Sequence, residues 1–144
     1  MPTAEKYQQT QIMTASPMSL VVMMYDDCIQ TLERAERAFA LPNPQRIEAI
    51  NSAILHAEDV ITELAVSLDM EKGGEIARNL HRLYDFMIYH LSQANTRKEV
   101  NRVTEVRRML CELREAWQKV REQEPGYDES SHCAKPRSMI AVNG

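Results

Sequence analysis

Residues 68–95, LDMEKGGEIARNLHRLYDFMIYHLSQAN, constrain the fold more than any other stretch. Gly73 and Gly74 can take the positive φ that ends one helix and the tight entry that begins another. After them Ile76, Leu80, Leu83, Tyr84, Met87, Leu91 and Ala94 recur at spacings of three and four. That period draws one apolar stripe along a helix, and a one-sided stripe needs neighbours to cover it.

Similar signals recur on either side. Ser16-Pro17 reads as a serine N-cap followed by proline at the first helical position, opening a helix to about Leu41. Its expected core stripe is Val21, Tyr25, Cys28, Leu32, Ala35 and Phe39. The Leu41-Pro42-Asn43-Pro44 break stops it, and Asn43-Pro44 repeats the cap-plus-proline signal. A second helix then runs to about Leu68 with Ile47, Ile50, Ile54, Ala57, Ile61, Leu64 and Leu68 inward. Thr96-Arg97-Lys98-Glu99 has the spacing of a capping box. It predicts a fourth helix with the stripe Val100, Val103, Val106, Leu110, Leu113, Trp117 and Val120, stopped by Pro125-Gly126. At ~1.5 Å per residue each helix is about 30–40 Å long, and short turns make neighbours antiparallel. The expectation is an all-α, antiparallel up-down-up-down four-helix bundle over residues 16–124. Residues 1–15 are expected to form a mobile N-terminal segment and residues 125–144 a disordered tail.

Chemistry is hard to find in this pattern. No helix carries the Glu-x-x-His motif of di-metal bundles, since Ala53, Arg78 and Met87 precede His56, His81 and His90 by three. Gly73-Gly74 lacks the spacing of a phosphate loop, and Cys28 has no histidine placed beside it by any signature. Neither a metal, nor a cofactor, nor a catalytic group is expected, and the chain reads as a non-enzyme. His81 and His90 are expected at the surface or at stripe edges, and Asp26-Asp27 on a solvated face or in ion pairs. The three cysteines, Cys28, Cys111 and Cys133, have no paired spacing and suit a reducing cytosol; Cys28 and Cys111 fall within apolar stripes. The net charge of −4 excludes a general nucleic-acid binder, and the basic cluster from Arg97 to Arg108 is interleaved with Glu99 and Glu105. The polar start MPTAEKYQQTQ has no signal-peptide core, so the chain is expected in the cytoplasm.

What is left over is apolar surface. Leu20 to Met24 is apolar all round the first helix, so Val22 and Met23 need covering by the N-terminal segment or by a partner. Leu55 and Val66 fall outside the stripe of the second helix. Tyr7 and Ile12 are the apolar residues a detachable N-terminal cover would use. With Met18, these positions form the expected partner-binding set: Tyr7, Ile12, Met18, Val22, Met23, Leu55 and Val66.

The wording of the chain resembles the flagellin-specific export chaperone family, FliS. The resemblance spans about residues 7–120. It rests on Tyr7 with its polar sequel, TASP (14–17), MMYDDCI (23–29), SLDMEKGGEIARNLHRLYDFMI (67–88), LSQAN (91–95), EV (105–106) and AW (116–117). The family pattern departs at Met18-Ser19 and at Asp27, where a small residue is common. Membership implies a non-enzymatic cytoplasmic chaperone that binds the disordered C-terminal region of flagellin, prevents premature polymerisation and assists delivery to the flagellar export gate. The gate's cytosolic domain is then a second partner. It also implies that Tyr7 and its neighbours cover a pocket beside the first helix and that flagellin wraps the bundle across apolar grooves. The alternative is a non-enzymatic adaptor bundle for another flagellar or secretion component.

Overall fold

A computed structural model describes residues 17–123, which form four helices: α1 (Pro17–Ala38), α2 (Gln45–Val66), α3 (Met70–Arg97) and α4 (Val100–Glu122). Contacts join α1 to α2, α2 to α3, α3 to α4 and α4 back to α1, a ring of four in chain order. The direction of the α1–α4 pair follows from its polar contacts. Arg121 Nη1 donates to Ser19 Oγ at 3.4 Å, Arg114 Nε to Asp26 Oδ1 at 2.6 Å and Arg107 Nε to Glu36 Oε1 at 2.7 Å. One residue number rises as its partner's falls, so the two helices are antiparallel, and the bundle is up-down-up-down.

The periodic stripes form its centre. Tyr25, Cys28, Leu32 and Ala35 of α1 are fully buried against Ile50, Ile54, Ala57 and Ile61 of α2 and Met87, Leu91 and Ala94 of α3. Val103, Val106 and Leu110 complete the core from α4. Burying each of the larger side chains contributes about 1.5–3 kcal/mol. Cys28 is a small core hydrophobe whose thiol reaches the Ala57 carbonyl at 3.7 Å, and burial pushes that thiol well above its ordinary ionisation range. Cys111 is only half-buried.

The stripes end sooner than their period predicts. Val21, Phe39 and Leu68 are half-buried, while Ile47, Ile76, Val100 and Val120 are exposed by 51, 71, 40 and 42 %. All are at or near helix ends, where a stripe continues but the neighbouring helices do not cover it. Helix boundaries also differ. α1 ends at Ala38 and α2 at Val66, each about two to three residues early. Asn43 is not a cap: Pro44 occupies the N-cap of α2 with helical φ/ψ and no side-chain cap bond. The turn is closed by Arg46 N–H donating to the Pro42 carbonyl at 2.9 Å.

The two glycines do not end the second helix either. Asp69 caps α3, its carboxylate accepting from the N–H groups of Glu71 and Lys72 at 3.1 and 3.0 Å. One helical turn follows, and Gly74 then kinks the helix at φ 55°, ψ −130°. The Thr96 capping box is overturned as well. Thr96 lies within the last turn of α3, Lys98 closes that helix in the left-handed conformation, and Glu99 takes the N-cap of α4 with no side-chain cap bond. The reason is local: Glu99 N–H reaches back to the Ala94 carbonyl at 3.0 Å, and Lys98 Nζ donates to the Asn95 carbonyl at 2.6 Å. Those bonds satisfy helix-end carbonyls that a cap at Thr96 would leave open. Ser16, Pro125-Gly126 and the expectations for residues 1–15 and 125–144 lie outside the described residues.

Candidate partner-binding surface

The described members of the expected partner-binding set are spread over two helices, Met18, Val22 and Met23 on α1 and Leu55 and Val66 on α2. Val22 is buried, 1 % exposed, so it offers no open surface, although it stands apart from the central core cluster. Met18 and Met23 are half-buried. Leu55 and Val66 are exposed by 49 and 79 %. They stand eleven residues apart on α2, about three turns, and so share one outward line roughly 16 Å long. Tyr7 and Ile12 lie outside the described residues.

Larger apolar exposure occurs where periodicity placed core. His90 of α3 sits between Glu105 and Arg102 of α4 and fixes the register of these helices. One turn before His90 is Phe86, and one turn after Glu105 is Met109. Continuing three turns in the same sense brings Ile76 level with Lys119-Val120. Along this seam Leu80, Leu83, Met109, Leu113 and Trp117 are partly buried on the core. Ile76, Phe86 and Val120 stand at its lips, the latter two 46 and 42 % exposed. Tyr89, 63 % exposed, lies on the outward side of α3. Ile76 and Val120 were expected in core stripes. Phe86 and Tyr89 carry the signal that could have found them, being aromatic residues off the stripe of an otherwise one-sided helix.

The two halves of the seam differ in chemistry. Toward the C-terminal end of α3 it is clasped by polar groups. His90 Nε2 lies 2.5 Å from Glu105 Oε1, and Arg102 Nη1 lies 3.2 Å from His90 Nδ1. Because arginine only donates, Nδ1 accepts and the proton of the neutral ring sits on Nε2. Arg102 also donates to Glu99, whose carboxyl is held below its usual range by that hydrogen bond. His90 is therefore buried and paired, not at the surface, and Phe86 stacks on its ring at 4.9 Å. Toward the N-terminal end of α3 the seam is apolar and open.

Elsewhere ion pairs lace the helices. Asp26 pairs with Arg114, while Asp27 lies 3.2 Å from His56 Nε2, so both acids join neighbouring helices. Arg107 serves Glu36, and that hydrogen bond raises the guanidinium pKa further. Among the described residues no three His, Cys, Asp or Glu side chains are grouped to hold a metal, and no helix is long and apolar enough to cross a membrane. The open seam and the Leu55–Val66 line can bury apolar side chains of a partner; they hold no arrangement of nucleophile and base.

Known proteins resemble the chain over most of its length. A family model described as flagellar protein FliS matches residues 1–124. The flagellar secretion chaperone FliS of Salmonella typhimurium is 39 % identical over 113 residues, covering 78 % of this chain and 82 % of that protein. The protein of the same name in Escherichia coli K12 is 34 % identical over 110 residues, 76 and 79 % of the two chains. That of Vibrio cholerae is 33 % identical over 112 residues, 77 and 79 % of the two chains.

Proposed function

The chain belongs to the FliS family of flagellar secretion chaperones, and from that premise we propose that its client is the disordered C-terminal region of flagellin. The client lies along the apolar half of the α3–α4 seam and continues over the Leu55–Val66 line of α2. Bound there, it cannot polymerise, and the complex is delivered from the cytoplasm to the flagellar export gate, whose cytosolic domain is the second partner. Met18 and Met23, half-buried near the start of α1, complete the proposed contact set together with Tyr7 and Ile12. The chaperone acts by binding alone, without catalysis or cofactor.

The observation that carries this reading is the open apolar seam, with Ile76 71 % and Phe86 46 % exposed over a half-buried leucine floor. A segment that folds on binding gives up ordering entropy and needs a long apolar contact to recover it. An amphipathic helix laid in a groove is one way to obtain that contact. Isothermal titration with a synthetic peptide of the last roughly forty residues of the cognate flagellin tests it. Tight binding with a negative heat-capacity change is the expected result, since apolar burial produces that sign. No heat at several temperatures, together with no co-elution, overturns the reading in favour of an adaptor for another component.

A further inference from the structure

We infer that the outer groove between α1 and α2 is a second docking site, for an acidic amphipathic segment of another protein. It is remote from the α3–α4 seam, across the bundle. The groove has a volume of about 530 Å³. Its floor is Ala38 of α1 and Ala49, Ser52 and Ala53 of α2. The last three have the i, i+3, i+4 spacing of one helix face, and none has a side chain large enough to fill the gap between helices. Leu41, 43 % exposed, walls one end. One turn beyond Ala53 toward the other end, His56 and Asp27 clasp the two helices together at 3.2 Å.

The rim decides the occupant. Arg34 and Arg37 both line the groove, and neither guanidinium is engaged by a carboxylate among the described residues. Of the acids nearest in sequence on α1, Glu36 pairs with Arg107 of α4, and exposed Glu33 makes no ion pair with either arginine. An apolar trough beside two guanidiniums that pair with no described carboxylate fits a helix that inserts a leucine-sized side chain and offers carboxylates a turn away, where arginine can bind them bidentately. The chain as a whole carries a net charge of −4, so its long-range field repels such a segment and only this local pair favours it.

A fluorescent synthetic helix with leucines one turn apart, flanked by glutamates, serves as the probe, and its glutamine counterpart as the control. Anisotropy with the full chain should show the glutamate peptide binding about tenfold tighter than the glutamine peptide, the ratio narrowing with added salt. Ser52→Trp fills the trough from an exposed position, and the double variant Arg34→Glu, Arg37→Glu reverses the rim. Each should weaken the glutamate peptide about tenfold or more while leaving helical content and the flagellin-peptide titration unchanged. Failure of the glutamate peptide to bind overturns the inference. So does equal binding of the two peptides, or indifference to Ser52→Trp. If Ser52→Trp instead dissolves a dimer seen by sedimentation, the groove belongs to a second copy of the chain and the inference is also overturned.

Discussion

Tyr25 of α1 and Tyr84 of α3 meet hydroxyl to hydroxyl at 2.6 Å across the diagonal of the bundle, and Trp117 of α4 donates its indole N–H to the Tyr25 oxygen at 3.2 Å. Three helices are thereby tied at one buried point. Both tyrosines are at most 1 % exposed, so a hydroxyl left without its partner has no water to turn to.

Removing the hub of this network should cost more than removing its end. Tyr25→Phe removes the partner that the Tyr84 hydroxyl and the Trp117 N–H share and leaves them only each other, and about 1–3 kcal/mol of stability is expected to go. Tyr84→Phe keeps the Trp117–Tyr25 bond and should cost less. Urea denaturation of the two variants decides the order; a larger loss for Tyr84→Phe would contradict it.

The same burial makes the fold sensitive to alkali. Desolvation raises the pKa of Tyr25, Tyr84 and Cys28 above their ordinary values. A raised folded pKa means the unfolded chain loses the proton first, at about pH 8.5 for a thiol and about pH 10 for a phenol. The stability contributed is whole below those values and falls as pH rises through and beyond them. The thermal midpoint should therefore hold to about pH 8 and decline steadily toward pH 11, and Cys28→Ala should remove the earliest part of the decline.

Gly74 is held at φ 55°, ψ −130°, a combination open to glycine and strained for any residue with a Cβ. Gly74→Ala should cost about 1–3 kcal/mol through the backbone alone, because nothing stands within 4 Å of the added carbon. Gly73→Ala fails for a different reason: its Cβ would come 2.6 Å from the Ala77 Cβ. Thermal unfolding of both variants, with no loss for Gly74→Ala, would show that the kink can relax.

Ile76 and Val22 offer a test of where the client lies. Ile76→Asp on the open seam should weaken the flagellin peptide about tenfold or more while shifting stability by about 0.5 kcal/mol or less. Val22→Asp should unfold the bundle, since it buries an unpaired charge. Affinity and thermal midpoint measured together separate these outcomes. Unchanged peptide affinity in Ile76→Asp would remove the seam from the client's path.

A period of three and four residues says which side of a helix is apolar, and that was enough to derive four helices, their antiparallel order and the central core. Tyr25, Cys28, Leu32, Ile54, Ile61, Tyr84, Leu91 and Leu110 are all in stripes legible without coordinates, and all are buried. That the three cysteines have no paired spacing, and that Glu-x-x-His occurs only at Glu129–His132, beyond the four predicted helices, was equally legible. A period does not say how far the neighbouring helices reach. Ile76 and Val120 continue their stripes in register but are left uncovered near helix ends, whereas Val22 is enclosed. Caps were ambiguous for the same reason. Thr96 carries a capping-box signal, but the boundary fell to bonds with Ala94 and Asn95 that exist only once α3 has run on to Arg97. Side-chain pattern is a local property and was read from sequence; coverage depends on helix length and register between neighbours, so only the tertiary structure decided which apolar residues became surface.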